Sequence, residues 1–148
     1  MSPEINQDEM DRTVGFKVGM LSLRMRQELR RAYLSAGVDV TPEQWAVINK
    51  LFLNDGLSQS ELAEQTFKDR PTITRILDTL ERRGLVVRGR DHEDRRRYRV
   101  HLTMAGSDLR AKLFPLAKAL GERLIEGMDE RDIAALKASL DRMLSNLE

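Results

Sequence analysis

The sequence predicts a mainly α fold carrying one small two-stranded β ribbon. Three observations point there. Ala, Glu, Lys, Leu and Arg supply nearly half of the 148 residues, a share typical of helix-dominated chains. Apolar residues recur at three- and four-residue spacing along most of the chain, the period of an amphipathic helix. The period drops to two only between residues 85 and 102. Composition narrows the class further. Charged residues reach 33% and aromatics only 5%, which disfavours a β-sandwich. Gly and Pro, at 9 and 4 residues, are too few for a disordered or collagen-like chain. No apolar run approaches the roughly 18 residues of a membrane span, so no membrane partner is expected. The first twelve residues are polar and acidic, unlike a signal peptide. There is no cysteine, which removes disulfides, thiolate zinc sites, cysteine nucleophiles and thiol redox sensing together. A cytoplasmic location is the simplest expectation.

Each element has a local justification. A first helix is predicted over about 8–36, with Val14, Val18, Leu21, Met25, Leu29 and Ala32 at helical spacing. Phe16, Met20 and Leu23 form a second apolar face. A terminal helix with two apolar faces needs two things to pack against, its own body and a partner subunit. Gly37 suits its C-terminal cap. Thr41-Pro42-Glu43-Gln44 opens a second helix, with Thr41 as N-cap, Pro42 in its first turn and Gln44 closing a capping box. Trp45, Ile48, Leu51 and Phe52 form its stripe, and Asn54-Asp55-Gly56 ends it. Ser58-Gln59-Ser60-Glu61 is another capping box, opening a short third helix around Leu62 and Ala63. Asp69 caps a fourth, with Pro71 in its first turn and Ile73, Ile76, Leu77 and Leu80 on one face. Gly84 ends it. Residues 85–90 and 98–102 then read as two short strands around a charged turn. Thr103 caps a fifth helix, carrying Leu109, Leu113, Leu116, Leu120 and Leu124, and Gly127 breaks it. Asp129 caps a sixth, carrying Ile133, Leu136, Leu140, Met143, Leu144 and Leu147.

Helix, short helix, helix and two-stranded ribbon in that order make a winged helix-turn-helix. The expected organisation is one domain over 1–148. Residues 38–103 form the winged region, and 1–37 with 104–148 form a dimerisation layer of helices from both chain ends.

Charge is distributed to match. The net charge is +1, but residues 68–101 hold 11 Lys/Arg against 6 acids. A basic middle between acidic flanks suggests a polyanionic partner for the middle alone. Arg outnumbers Lys 19 to 6, and Arg is the better fork donor to phosphates and guanine edges. On the fourth helix, Pro71, Arg75, Asp78 and Arg82 point away from the apolar face, at about 100° per residue. Arg70, Thr72 and Thr74 sit at its first turn and flanks. Such a helix reads bases mainly with its N-terminal part, so Arg70, Thr72, Thr74 and Arg75 are candidate readers. A solvated charged face is the alternative for this helix taken alone. Asp78 is expected to pair with Arg82 one turn on. In the turn Asp91-His92-Glu93-Asp94-Arg95-Arg96-Arg97, Asp94 and Arg96 share a side of extended backbone. The carboxylate can hold the guanidinium for a narrow A·T-rich minor groove. Arg95 and Arg97 face phosphates or solvent. Lys68 is a candidate phosphate contact, and Ser58 and Gln59 join the DNA-binding set.

The stretch SQSELAEQTFKDRPTITRILDTLERRGLVVRGRDHEDRRRYRVHLTMAG resembles the winged-helix core of the MarR family of bacterial transcription regulators. The wing pattern D-x-R-x-x-x-V-x-L-T falls on Asp94, Arg96, Val100, Leu102 and Thr103, followed by Gly106. The resemblance implies an obligate homodimer on a pseudo-palindromic double-stranded operator. It carries major-groove reading onto Thr72, Thr74 and Arg75, together with Arg70, and minor-groove insertion onto Arg96. It also implies a repressor released by a small aromatic or phenolic effector, while the missing cysteine excludes the oxidant-sensing branch. The chain departs from the family at Phe67 and Lys68, where members often place Gly and an aliphatic residue.

The remaining signals are weaker. His92 sits among acids, but a wing tip offers no second layer of ligands, and no metal site is expected. His101 reads as structural. Met20 and Trp45 are candidate walls of an effector pocket, with Arg24 facing either a ligand carboxylate or a surface acid. No cofactor motif is present. An enzyme is disfavoured because no pair of catalytic-type residues shares a plausible cleft. The alternative to a sequence-specific regulator is a winged-helix architectural or interaction module without sequence specificity.

Overall fold

The computed structural model describes residues 7–94 and 98–148. Arg95, Arg96 and Arg97 therefore lie outside the described residues. The helices are α1 (Gln7–Met10), α2 (Val14–Ser35), α3 (Pro42–Leu53), α4 (Gln59–Gln65), α5 (Arg70–Arg82), α6 (Met104–Leu124) and α7 (Glu130–Ser145). The strands are β1 (Leu57–Ser58), β2 (Val86–Arg90) and β3 (Tyr98–Leu102). They form an antiparallel sheet in the order β1-β3-β2. The fold is mainly α with a β wing, as the periodicity predicts.

The caps are where the sequence places them. Thr41 with Gln44, Ser58 with Glu61, and Asp129 with Asp132 form complete capping boxes. Asp69 accepts from the Thr72 amide at 2.7 Å, and Thr103 accepts from the Gly106 amide at 3.0 Å. Each satisfies an amide that the first helical turn leaves without a partner.

Two features differ from expectation. The predicted first helix is broken at Asp11-Arg12-Thr13, because Thr13 caps a new start by accepting from the Phe16 amide at 3.2 Å. The sheet has a third strand, with Leu57 opposite Val100 and Ser58 opposite Arg99. Two residues are too short a run to leave a period in the sequence.

The core lies between α3, α4, α5 and the sheet. Val47, Ile48, Leu51, Leu62, Ile73, Leu77, Leu80, Val86 and Val100 are fully buried there. Tyr33 of α2 packs on Trp45 of α3 with ring centroids 5.8 Å apart. Leu113 brings α6 onto the same core. Arg110 of α6 lies over the rings of Phe52 and Phe114, at 3.9 and 4.2 Å from their centroids. It donates from Nε to Asn49 at 3.3 Å, stitching α6 to α3 through cation–π contact. Gly106 is required by close approach. A Cβ there would stand 2.2 Å from the Leu85 carbonyl oxygen.

The chain ends are less closed. Within α2 only Tyr33 is buried, while Val14, Met20, Leu21 and Leu23 are exposed. None of the residues of α7 is buried.

Candidate nucleic-acid interface

Helix α5 is held by its apolar side. Ile73, Leu77 and Leu80 are sunk in the core, so Arg70, Pro71, Arg75, Asp78 and Arg82 face out. The start of α4 is tied to this helix. Gln59 donates from Nε2 to the Thr74 hydroxyl at 3.2 Å, and Arg70 donates to the Ser60 hydroxyl. Thr74 in turn donates to the Arg70 carbonyl at 3.0 Å. These residues, with Ser58, Glu61 and Tyr98, line a concave face of about 540 Å³. Ser58, Gln59, Arg70 and Thr74 are thus brought together as one surface. Ser58 is occupied by its cap, accepting from the Glu61 amide at 3.1 Å.

Arg75 stands one turn along, exposed, with Nη2 3.3 Å from the Thr72 hydroxyl. That contact aims the guanidinium along the helix towards its N-terminus, the part with which helix-turn-helix recognition helices generally read bases. Lys68 is half-buried before the helix. Ser60 and Tyr98 complete the face without a sequence signal for DNA contact, and Arg90 lies beside it. Tyr98 is exposed, and Arg90 lies 5.9 Å from its ring centroid. The alternation of the second strand was the available signal for the exposure of Tyr98.

Several charges are spent inside the chain. Asp78 does not pair with the Arg82 side chain opposite it. Its carboxylate accepts from Arg88 of β2 at 2.6 Å, and Glu81 takes the same guanidinium at 2.6 Å. Arg82 instead donates to the Asp78 carbonyl and the Thr79 hydroxyl, each at 3.3 Å. Arg88 therefore fastens the wing to α5 and offsets the one acid on its outward face. Burial alone would lower the Arg88 pKa, but its bonds to the two carboxylates raise it. Arg99 bridges Asp91 at 2.9 Å and the Gly56 carbonyl at 2.8 Å. Arg83 donates to the Asp39 carbonyl at 2.6 Å. The net charge of the segment overstates what it offers a polyanion.

The wing base is well tied. Asp91 accepts from the Glu93 amide as well as Arg99, and these bonds hold its carboxyl below the usual carboxylate range. Asp55 accepts from the Leu102 amide and meets His101 Nδ1, both at 2.9 Å. Burial pushes the Asp55 carboxyl up, but these bonds outweigh it and hold it low. Asp94 is exposed at the end of the described turn.

One backbone outlier lies beside this face. Phe67, just after α4, has φ +55°. The Lys68 amide reaches back to the Ala63 carbonyl at 2.9 Å, the 6→1 bond of a Schellman cap. A residue with a side chain costs about 1–2 kcal/mol in that left-handed conformation.

The three residues expected to line an effector pocket are not brought together in this chain. Met20 and Arg24 share a hollow on α2 with Phe16, Lys17 and Leu21. Trp45 is buried against Tyr33, thirteen residues along the same helix from Met20, or about 20 Å at 1.5 Å per residue. Trp45 is a core residue and does not line that hollow.

The MarR family profile matches residues 40–98. A protein of Thauera aromatica named for transcriptional regulation of the hcr operon is 32% identical over 114 residues, spanning 73% of this chain and 69% of that protein. The chain belongs to the MarR family. Two further curated relatives are matched over 57% and 49% of their own length. The Staphylococcus aureus MepR–DNA complex superposes with a TM-score of 0.84 at 28% identity, over 92% of this chain and 97% of that one. The transcriptional repressor CouR bound to a 23-mer DNA duplex superposes with a TM-score of 0.83 at 30% identity, over 95% and 99%. This MarR-family protein is a DNA-binding transcription regulator and not an enzyme. No helix among the described residues is long and apolar enough to cross a membrane.

Proposed function

We propose that this MarR-family chain acts in the cytoplasm as a homodimeric repressor on a pseudo-palindromic operator. The observation that carries the reading is the unpartnered apolar surface of the end helices. Leu136, Leu140 and Leu144 of α7 and Val14, Leu21 and Leu23 of α2 are all exposed. A two-fold pairing of these helices, 1–37 and 104–148, covers them and sets two α5 copies about 34 Å apart, one DNA turn. Region 38–103 then faces DNA. Thr72, Thr74, Arg75 and Arg70 meet the major groove, Ser58, Gln59 and Lys68 the backbone, and Arg96 the minor groove with Asp94 beside it and Arg95 and Arg97 flanking. That CouR is a repressor seen on duplex DNA supports the direction of the effect.

The test is sedimentation at micromolar concentration together with sequencing of genomic fragments that co-purify with the protein. A dimer and one enriched inverted repeat are expected. A compact monomer overturns the assembly. Fragments without a shared sequence favour a non-specific architectural module.

Release by a small aromatic or phenolic effector belongs to the same proposal. The hollow around Phe16, Met20 and Arg24 lies along α2 and offers apolar walls beside two cations, Lys17 and Arg24, with Asp11 at its edge. An effector shifts the dimer only by its differential affinity for the two states. Operator release by aromatic carboxylates, lost in Arg24→Ala, is the expected result. Release unchanged in Arg24→Ala removes this hollow from the proposal.

A further inference from the structure

We propose that the ring of Phe67 is a DNA-backbone contact, packed against deoxyribose at the rim of the groove that α5 enters. The inference rests on the DNA binding of the chain, and on an exposed aromatic side chain at a position whose backbone favours glycine. Phe67 sits at φ +55°, in the region where glycine is the comfortable residue. Phe67 is 88% exposed, the most of any large hydrophobic residue among those described. Among those residues no ring or hydrogen-bond contact of its side chain accompanies the strain. The Schellman bond from Lys68 to Ala63 accounts for the turn, but not for Phe in the place of glycine. A side chain kept there at the cost of strain and displayed to water is accounted for by a contact outside the chain.

The surroundings select DNA as that contact. The turn leads directly into the first turn of α5, the end of the helix that approaches bases. Lys68 follows Phe67, and Arg70 opens the helix. The one acid between them, Asp69, turns its carboxylate inward to the Thr72 amide at 2.7 Å. The turn thus presents an apolar plate beside cations, with its negative charge bound to the cap. A sugar–phosphate edge has the complementary pattern, with apolar C–H faces alternating with phosphates. Such a contact carries no base information and adds no charge.

The test compares Phe67→Gly, Phe67→Leu and Lys68→Ala with the wild type on two duplexes across a salt series. One duplex is an enriched genomic fragment and the other is random sequence. Phe67→Gly relieves the backbone, so its melting temperature rises, and folding is not at risk. Its affinity falls about tenfold on both duplexes alike, with the salt slope unchanged. Phe67→Leu keeps apolar area and retains most of the affinity. Lys68→Ala lowers affinity and reduces the salt slope by about one. Phe67→Gly binding both duplexes as tightly as the wild type overturns the proposal and leaves the ring to a protein partner. A fall in its melting temperature overturns the strain on which the proposal stands. A wild type that binds neither duplex refutes DNA binding itself, a separate failure.

Discussion

The winged region and the end helices are built from the same kind of amphipathic helix, but they close differently. In the winged region the apolar faces of α3, α4 and α5 meet one another and the sheet. Every fully or largely buried hydrophobic residue among those described, except Tyr33 and Leu113, lies between 38 and 100. In α7 the stripe Ile133, Leu136, Leu140, Met143 and Leu144 has equal regularity, yet none of its residues is buried and only Ile133 and Met143 are half-buried. The contrast teaches that periodicity fixes which side of a helix is apolar but not what covers it. The first region is completed within the chain and leaves its charged face for DNA. The second leaves its apolar side uncovered within the chain.

Paired truncations test that contrast most strongly. Leu77→Ala empties a fully buried site and should cost 2–5 kcal/mol, roughly the range for buried Leu, at any protein concentration. Leu140→Ala should cost a similar amount only where dimers form, so its effect on the melting temperature should vanish on dilution. Equal, concentration-independent losses in chemical denaturation of the two variants would erase the distinction between the regions.

Next comes the outward face of α5. Arg75→Ala should lose about 1–3 kcal/mol per base contact on an operator and relax preference at one symmetric pair of positions. Sedimentation should show the proposed dimer intact. A parallel loss on random duplex would reduce Arg75 to a phosphate contact.

Arg88 offers a smaller effect. Its carboxylate partners Asp78 and Glu81 are each more than a third exposed. Screening therefore holds the stability cost of Arg88→Ala to about 1 kcal/mol. The larger signature should be in footprinting, where the wing loses its minor-groove protection while α5 keeps the major groove. Retention of both protections would show that the wing holds its place without this brace.

The smallest effect concerns the cap of α5. The bonds from Thr72 hold the Asp69 carboxyl below its ordinary range. A folded pKa below the unfolded one means that the unfolded chain binds the proton more readily. The contribution is therefore present above about pH 4, the ordinary Asp value, and is lost as pH falls through the folded pKa. The gap in melting temperature between wild type and Asp69→Ala should be full at pH 6 and narrow below pH 4. A gap independent of pH would show that the charge of Asp69 adds nothing to its cap.

Much of the fold and part of the interface were legible in the residues. Thr41, Ser58, Asp69, Thr103 and Asp129 are caps because a side-chain oxygen meets an amide two or three positions on. That geometry is complete within one turn of chain. The apolar face of α5 is legible for the same reason, since its spacing repeats within the helix. Thr13 obeys the rule too, but its break falls inside a longer apolar period that masks it.

What the sequence determined by itself, then, is the set of helices, their caps, their apolar sides and the order that makes a winged helix. Tertiary structure alone decided who meets whom. It gave Asp78 to Arg88 rather than Arg82, drew Arg99 to Asp91 and the Gly56 carbonyl, and paired Leu57 with Val100, 43 positions on in the chain. It put Trp45 against Tyr33 and away from Met20. The physical reason is range. A cap or a helical face is satisfied by neighbours a few residues away. An ion pair, a strand partner or a ring contact depends on where the packed core carries residues far apart in the chain.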